Sequence, residues 1–221
     1  IGGGSTEFIV GKSFEPQLLE SLYMGCVGYS LRFFPDGRID KRGLKEAELA
    51  ARRELQTISA AYRQAGWEEA VGSSGTAKAI VEILEQNGFS AGGITRDGLE
   101  KLKAVLLRAG SLDNVDFAGL KGDRLPVILG GFAIMSAIFR ECELEHMVFS
   151  EGALRLGVLY DLLGRFHHKD MRDVTVTQFM QRYHVHALQA QRVGALAFTL
   201  LRRLTADSDE PDEASARFIA W

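Results

Sequence analysis

Cysteine is nearly absent: Cys26 and Cys142 are the only two, far apart in the chain and each set among apolar neighbours. Two such thiols exclude a small disulfide-stapled domain and fit the reduced, packed side chains of a cytoplasmic protein. An excess of basic charge is lacking too. Lys and Arg number 26 against 29 Asp and Glu, a formal net charge of −3, so no basic surface argues for nucleic acid. No apolar run reaches membrane-spanning length, since the stretch 125–139 is too short and is interrupted by Gly130 and Gly131. There is no secretory-signal pattern, no internal repeat and no low-complexity tract. Metal-ligand spacing is missing as well: His167-His168 and His184-Val185-His186 are neighbours that do not share a helix face, and they read as surface or linker histidines. The acidic run 207–213 would repel a polyanion and reads as a solvated loop. At 221 residues the chain can bury a core of one large domain, or of one and a half smaller ones.

What is present begins at once, with Ile1-Gly2-Gly3-Gly4-Ser5-Thr6-Glu7-Phe8-Ile9-Val10-Gly11. Consecutive glycines expose backbone N–H groups with no Cβ to hold a ligand away, and such a run can fold into a nest of amides for phosphate oxygens. Ser5 adds a hydroxyl and Glu7 a carboxylate. Phe8, Ile9 and Val10 read as a short buried strand, which makes the glycine loop a hairpin turn. P-loops and dinucleotide fingerprints pass instead into a helix. Taken alone, the same residues also describe an ordinary glycine turn with a solvated Glu.

Residues 17–24 form a second expected strand, and Arg32-Phe33-Phe34-Pro35-Asp36-Gly37 a turn. A long helix is predicted over 40–65, with Leu44, Ala47, Ala51, Leu55, Ile58 and Tyr62 on one face and Gly66 ending it. Residues 67–71 read as a strand running into Gly72-Ser73-Ser74-Gly75-Thr76 and then a helix buried through Ile80, Val81 and Leu84. That small-residue turn either aims helix N-terminal amides at a ligand or serves close packing. Thr95 caps a helix over 97–109, a buried helix lies within 124–142, and residues 145–149 are the last strand. Ser150 is expected to cap a helix to about residue 165, with Gly152, Ala153 and Gly157 as a small-residue stripe. A linker at 167–172 leads to helices over 177–184 and 187–205. Ile1 reads as the inside of a strand, and the apolar pattern at 216–221 stops without a cap, so the expectation is an internal piece of a longer chain.

The opening motif resembles the second phosphate-binding motif of the acetate kinase, sugar kinase, Hsp70 and actin superfamily, and more closely that of the exopolyphosphatase and guanosine pentaphosphate phosphatase family. In that family an Asp precedes the position of Ile1. The resemblance continues through Met24-Gly25-Cys26-Val27, Val71 to Thr76, Gly130-Gly131-Phe132-Ala133-Ile134 and Ser150 to Tyr160. It implies an α/β fold of the ribonuclease H-like, actin-like kind. Residues 1–165 would be its second lobe, and 166–221 a linker and the first helices of an all-helical domain. It implies hydrolysis of terminal phosphoanhydride bonds, with inorganic polyphosphate as substrate, or guanosine pentaphosphate, or either one bound without turnover. Gly2, Gly3, Gly4 and Ser5 would hold phosphate, and Glu7 would be catalytic and would help hold Mg²⁺. Gly72, Ser73, Ser74, Gly75 and Thr76 would line the cleft. The family's general base, a Glu of the first lobe, lies outside this sequence, so the piece alone is expected to be inactive. A Gly at position 4 leans toward polyphosphate, and a homodimer is expected.

Overall fold

Helix α6 (Ile128–Glu141) is the member around which the helices of the first part of the chain pack, and almost every residue along it is buried. The structure, a computed structural model, describes residues 1–12, 15–162 and 171–204. They divide into two compact units, Ile1–Ala153 and Leu154–Trp221.

The first unit opens with an antiparallel hairpin, β1 (Thr6–Lys12) and β2 (Glu15–Leu22), in the register Thr6↔Leu22 and Glu7↔Ser21, with an irregularity at Val10/Gly11. Its connection, residues 13–14, lies outside the described residues. The strand is half-buried rather than buried: Thr6 and Val10 face inward, while Ile9 is 65% exposed. The alternation that places Phe8 and Val10 against the core must turn Ile9 outward. A helix not expected from the sequence follows, α1 (Cys26–Phe33).

The predicted helix over 40–65 is two: α2 (Lys41–Gln56) and α3 (Ser59–Ala65). The Thr57 hydroxyl donates to the Glu54 carbonyl (2.6 Å) at the break, a local bond that competes with the helical ladder. The expected apolar face survives the break, and Leu44, Ala47, Ala51, Leu55, Ile58 and Tyr62 are all buried. Asp40 caps α2 by accepting from Gly43 N (2.8 Å), and Gly66, at φ 70°, ends α3.

A three-stranded sheet in the order β3-β5-β4 lies beyond, from β3 (Val71–Gly72), β4 (Ile94–Thr95) and β5 (His146–Phe149). β3 runs parallel to β5 and β4 antiparallel to it. The strand expected over 67–71 shrinks to Val71–Gly72. α4 (Gly75–Gln86) is capped by Ser74 and α5 (Arg96–Ala109) by the expected Thr95, each accepting from an amide three residues on (3.0 Å each). Their leucines close the core with α6: Leu84, Leu102, Leu106, Leu129 and Phe132 are fully buried, each contributing about 2 kcal/mol by leaving water.

Arg52 Nε donates to Glu141 Oε1, and Arg63 Nη1 donates to the Glu141 carbonyl (2.5 Å), tying α2 and α3 to the end of α6. Helix α7 (Leu154–Leu162) starts later than predicted. Ser150 is not its cap, because its hydroxyl accepts from Gly152 N (3.1 Å) within the approach; Gly152 and Ala153 precede the helix, and only Gly157 of the small-residue stripe lies in it.

The second unit holds α7, α8 (Met171–Arg182) and α9 (Ala187–Leu204). α8 begins six residues before the predicted 177, inside the expected linker. No residue of α9 is buried. His167, His168, the acidic run 207–213 and the terminal pattern 216–221 lie outside the described residues. Among the described residues, no helix is long and apolar enough to cross a membrane.

Candidate active site

The glycine loop is not the hairpin turn expected from the sequence: it stands before β1, opposite the connection that joins β1 to β2. Gly2 N donates to the Ser5 carbonyl (2.7 Å), which folds the loop back on itself. Its carbonyls are also taken: Cys26 N donates to Gly2 O (2.9 Å), and Val27 N (3.1 Å) and Gly28 N (3.4 Å) donate to Gly3 O. The amides of Gly3, Gly4 and Ser5 have no acceptor among the described residues. Gly2, Gly3 and Gly4 are exposed, and a Cβ on Gly4 would meet nothing within 4 Å. Free amides on an open surface beside a folded turn are what an anion nest requires.

Glu7 borders it. Its Oε1 accepts from Ser5 Oγ (2.5 Å) and from Ser21 Oγ (3.3 Å) on the facing strand. Its Oε2 has no donor among the described residues and faces solvent with an exposed side chain. The loop is anchored from below, where buried Thr6 donates to the Met24 carbonyl (2.6 Å) and Tyr62 Oη donates to the Phe8 carbonyl (2.9 Å).

The second expected cleft segment crosses from β3 into α4. Gly72 lies against Met147 and Ala77, where a Cβ would come within 2.8 Å of Met147 Sδ. Ser73 Oγ donates to the Gly152 carbonyl, and Ser74 is committed to capping. The Arg124 guanidinium covers Gly75, 2.7 Å from where a Cβ would sit. Thr76 is buried. Lys78 Nζ pairs with Glu151 Oε1 (2.9 Å), and that hydrogen bond raises the Lys78 pKa and lowers that of Glu151. This segment and helix α1, which follows the hairpin, meet at α6. A Cβ on Gly131 would lie 2.5 Å from Thr76 Cγ2 and 3.6 Å from Cys26 Cβ, so the first turns of α4 and α1 converge on one glycine.

Sequence reasoning missed Ser21, and it named Gly25 only within the motif Met24 to Val27, with no role. Ser21 is found only through the register that sets it across from Glu7. Gly25 lies so near the loop that a Cβ would fall 2.3 Å from Gly3 C and 2.4 Å from Gly4 N. His184 and His186 are exposed in the α8–α9 connection, and no group of three potential metal-binding side chains converges among the described residues.

A glycine loop with free amides and a bordering carboxylate stands on a mixed α/β unit whose fold is of the actin-like kind. Residues 1–166 match the Ppx/GppA phosphatase family, and the chain belongs to it. It is 38% identical over 204 residues to the guanosine-5'-triphosphate,3'-diphosphate pyrophosphatase of Aeromonas hydrophila, covering 92% of this chain and 41% of that protein. A protein of the same name from Pseudoalteromonas translucida is 39% identical over 200 residues, covering 90% of this chain and 40% of its own length. The chain thus spans about two fifths of these relatives. The crystal structure of the Aquifex aeolicus PPX-GPPA enzyme superposes with a TM-score of 0.60 at 23% identity, over 72% of this chain and 54% of that one. An exopolyphosphatase from Cytophaga hutchinsonii gives 0.62 at 20% identity, over 74% and 55%. Likeness at such identities speaks for the fold.

Proposed function

We propose that the complete protein hydrolyses terminal phosphoanhydride bonds of inorganic polyphosphate, and that residues 1–165 serve as the second lobe of its catalytic domain. The observation that carries this reading is the row of uncommitted amides, Gly3, Gly4 and Ser5, beside a carboxylate with one free oxygen. Non-bridging oxygens of a terminal phosphate accept from those amides, which hold them without reorganising as charge redistributes. Water attacks phosphorus in line with the bridging oxygen, the bridging P–O bond breaks, and the shortened chain leaves with the electron pair. The attacking water's proton goes to a base that we place outside these 221 residues.

The residues fit Mg²⁺ of the kind held by one carboxylate, water and substrate phosphate, with Glu7 Oε2 as its protein ligand; among the described residues there is no cage built from protein alone. Bound there, the ion would neutralise phosphate charge. The segment Gly72 to Thr76 borders the same cleft in this reading, supported by its convergence with α1 on Gly131. The buried free thiols Cys26 and Cys142 support placing the protein in the cytoplasm. A homodimer is supported by apolar side chains left exposed on α9, among them Leu196 and Leu204, and sedimentation velocity tests it.

A second reading, guanosine pentaphosphate as substrate, is favoured by the name that both curated relatives carry. Phosphate release by the complete protein with Mg²⁺ decides the matter. Turnover of polyphosphate with the higher kcat/KM is expected. A preference for the nucleotide selects the second reading, and binding of either without release makes the lobe a binding module.

A further inference from the structure

Helix α1 begins directly beneath the glycine loop, yet its first amides do not face a ligand. Cys26 N donates to Gly2 O, and Val27 and Gly28 N donate to Gly3 O. Each of those carbonyls belongs to a peptide group whose opposite end is the N–H of Gly3 or of Gly4. A hydrogen bond accepted at C=O polarises the same peptide's N–H and makes it a stronger donor. The partial positive charge of the helix N-terminus is thereby passed across two peptide groups to the amides that line the nest.

We infer that Gly25 is a positioning residue for bound phosphate, and that α1 acts on the phosphate through the Gly2–Gly3 and Gly3–Gly4 peptides. The inference rests on reading Gly3 to Ser5 as the phosphate nest. Gly25 is the residue that lets the two segments touch. Its backbone is extended, at φ −130° and ψ 155°, a conformation open to any residue. The demand for glycine is therefore one of space alone. A Cβ there would stand 2.3 Å from Gly3 C and O and 2.4 Å from Gly4 N, all backbone atoms that cannot rotate away. An alanine is accommodated only if the Gly3–Gly4 peptide moves, which shifts the Gly4 donor and opens the bonds from Val27 and Gly28 together. Simple packing would make the same contact costly to stability and indifferent to ligand.

Those two roles are separated by titrating the ¹⁵N-labelled chain with inorganic tripolyphosphate and Mg²⁺, following the Gly3 and Gly4 amide resonances and measuring affinity by calorimetry. Gly93→Ala is the matched control. Gly93 sits at φ +67° with a Cβ position 2.5 Å from the Met147 carbonyl, in the β4–β5 region, so it carries a backbone clash remote from the loop. In the unsubstituted chain the Gly3 and Gly4 resonances are expected to shift on titration. Gly25→Ala, below its melting temperature, should bind about tenfold or more weakly, the loss of one charge-assisted hydrogen bond, with those shifts gone. Gly93→Ala should bind as the unsubstituted chain does. A readout that needs no variant is hydrogen exchange: tripolyphosphate should slow exchange at the Cys26 and Val27 amides, which it cannot touch.

Equal affinity and shifts in Gly25→Ala overturn the positioning role alone. If that variant does not fold, unchanged exchange at Cys26 and Val27 in the unsubstituted chain overturns it. Absence of any shift in the unsubstituted chain overturns the nest reading and this inference with it.

Discussion

Glu7 carries its charge half-committed, with Oε1 accepting from Ser5 and Ser21 and Oε2 open to solvent. A carboxylate next to a phosphate nest repels the substrate unless a cation or a proton stands between them. Glu7→Gln in the complete protein should therefore lower kcat by about 100-fold while KM for polyphosphate changes much less, measured as phosphate release over a range of Mg²⁺. Wild-type kcat at limiting Mg²⁺ would reduce Glu7 to a hairpin residue. A different kind of charge lies at Glu141, whose side chain is 9% exposed and meets Arg52. Removing one member of a buried pair leaves the other charge uncompensated, so Arg52→Ala should cost about 3 kcal/mol in a urea melt. Replacing both partners with Met and Leu should restore most of it. The loop and Glu7 were readable because glycine, hydroxyl and carboxylate stand next to one another in sequence. The role of Gly25 was not, since what forbids a side chain there is the backbone of Gly3, more than twenty residues away.

The same division between local and distant causes runs through the elements. α2, α4 and α5 carry their own start signals in Asp40, Ser74 and Thr95; the sequence places α5 to within a residue and the start of α2 likewise, and for α4 it gives the buried face through Ile80, Val81 and Leu84. α1 has no capping side chain, because the Gly2 and Gly3 carbonyls occupy its first amides, and nothing near Cys26 in sequence announces a helix. The break between α2 and α3 stayed hidden because Ile58 and Tyr62 keep the apolar rhythm across it. The caps have a pH signature. The Gly43 amide, then Arg38, holds the Asp40 pKa below its ordinary 3.8. A depressed carboxylate pKa stabilises the fold fully above the unfolded value and loses that contribution as pH falls through the folded one. The gap in Tm between the wild type and Asp40→Ala should thus hold at neutral pH and close as the solution is acidified below about pH 4. A gap that persists there would assign the loss to something other than the charged cap. Where α6 crosses α1, a Cβ on Gly130 would lie 2.4 Å from the Cys26 carbonyl. Gly130→Ala should cost about 1–3 kcal/mol by overpacking, read from a denaturant melt.

At the scale of the molecule, the unit Ile1–Ala153 holds the buried apolar core found among the described residues, from Val10 to Met147. A unit with its own core and its own sheet folds as a domain. Residues 1–153 alone should accordingly melt in one cooperative step, at a temperature close to that of the 221-residue chain, in far-UV circular dichroism. Catalysis is a different matter, because it depends on how many reacting groups surround the phosphate. The glycine loop, in the proposed reading, supplies amides and the bordering carboxylate of Glu7, whose bonded oxygen is already shared by two hydroxyls. In-line hydrolysis also needs a base for the attacking water and the exclusion of bulk solvent, and both effects multiply in rate. Gly4 lies open with nothing within 4 Å of a Cβ position, so these residues by themselves leave a bound phosphate wet on one side. The 221-residue polypeptide, spanning 41% of its Aeromonas relative, should therefore bind tripolyphosphate and Mg²⁺ yet release phosphate at a rate near background. A phosphate-release assay beside a thermal melt checks this. Activity rising to that of the complete protein when the remaining chain is supplied fits the proposal, whereas substantial turnover by the polypeptide alone would move the catalytic base into the residues described here.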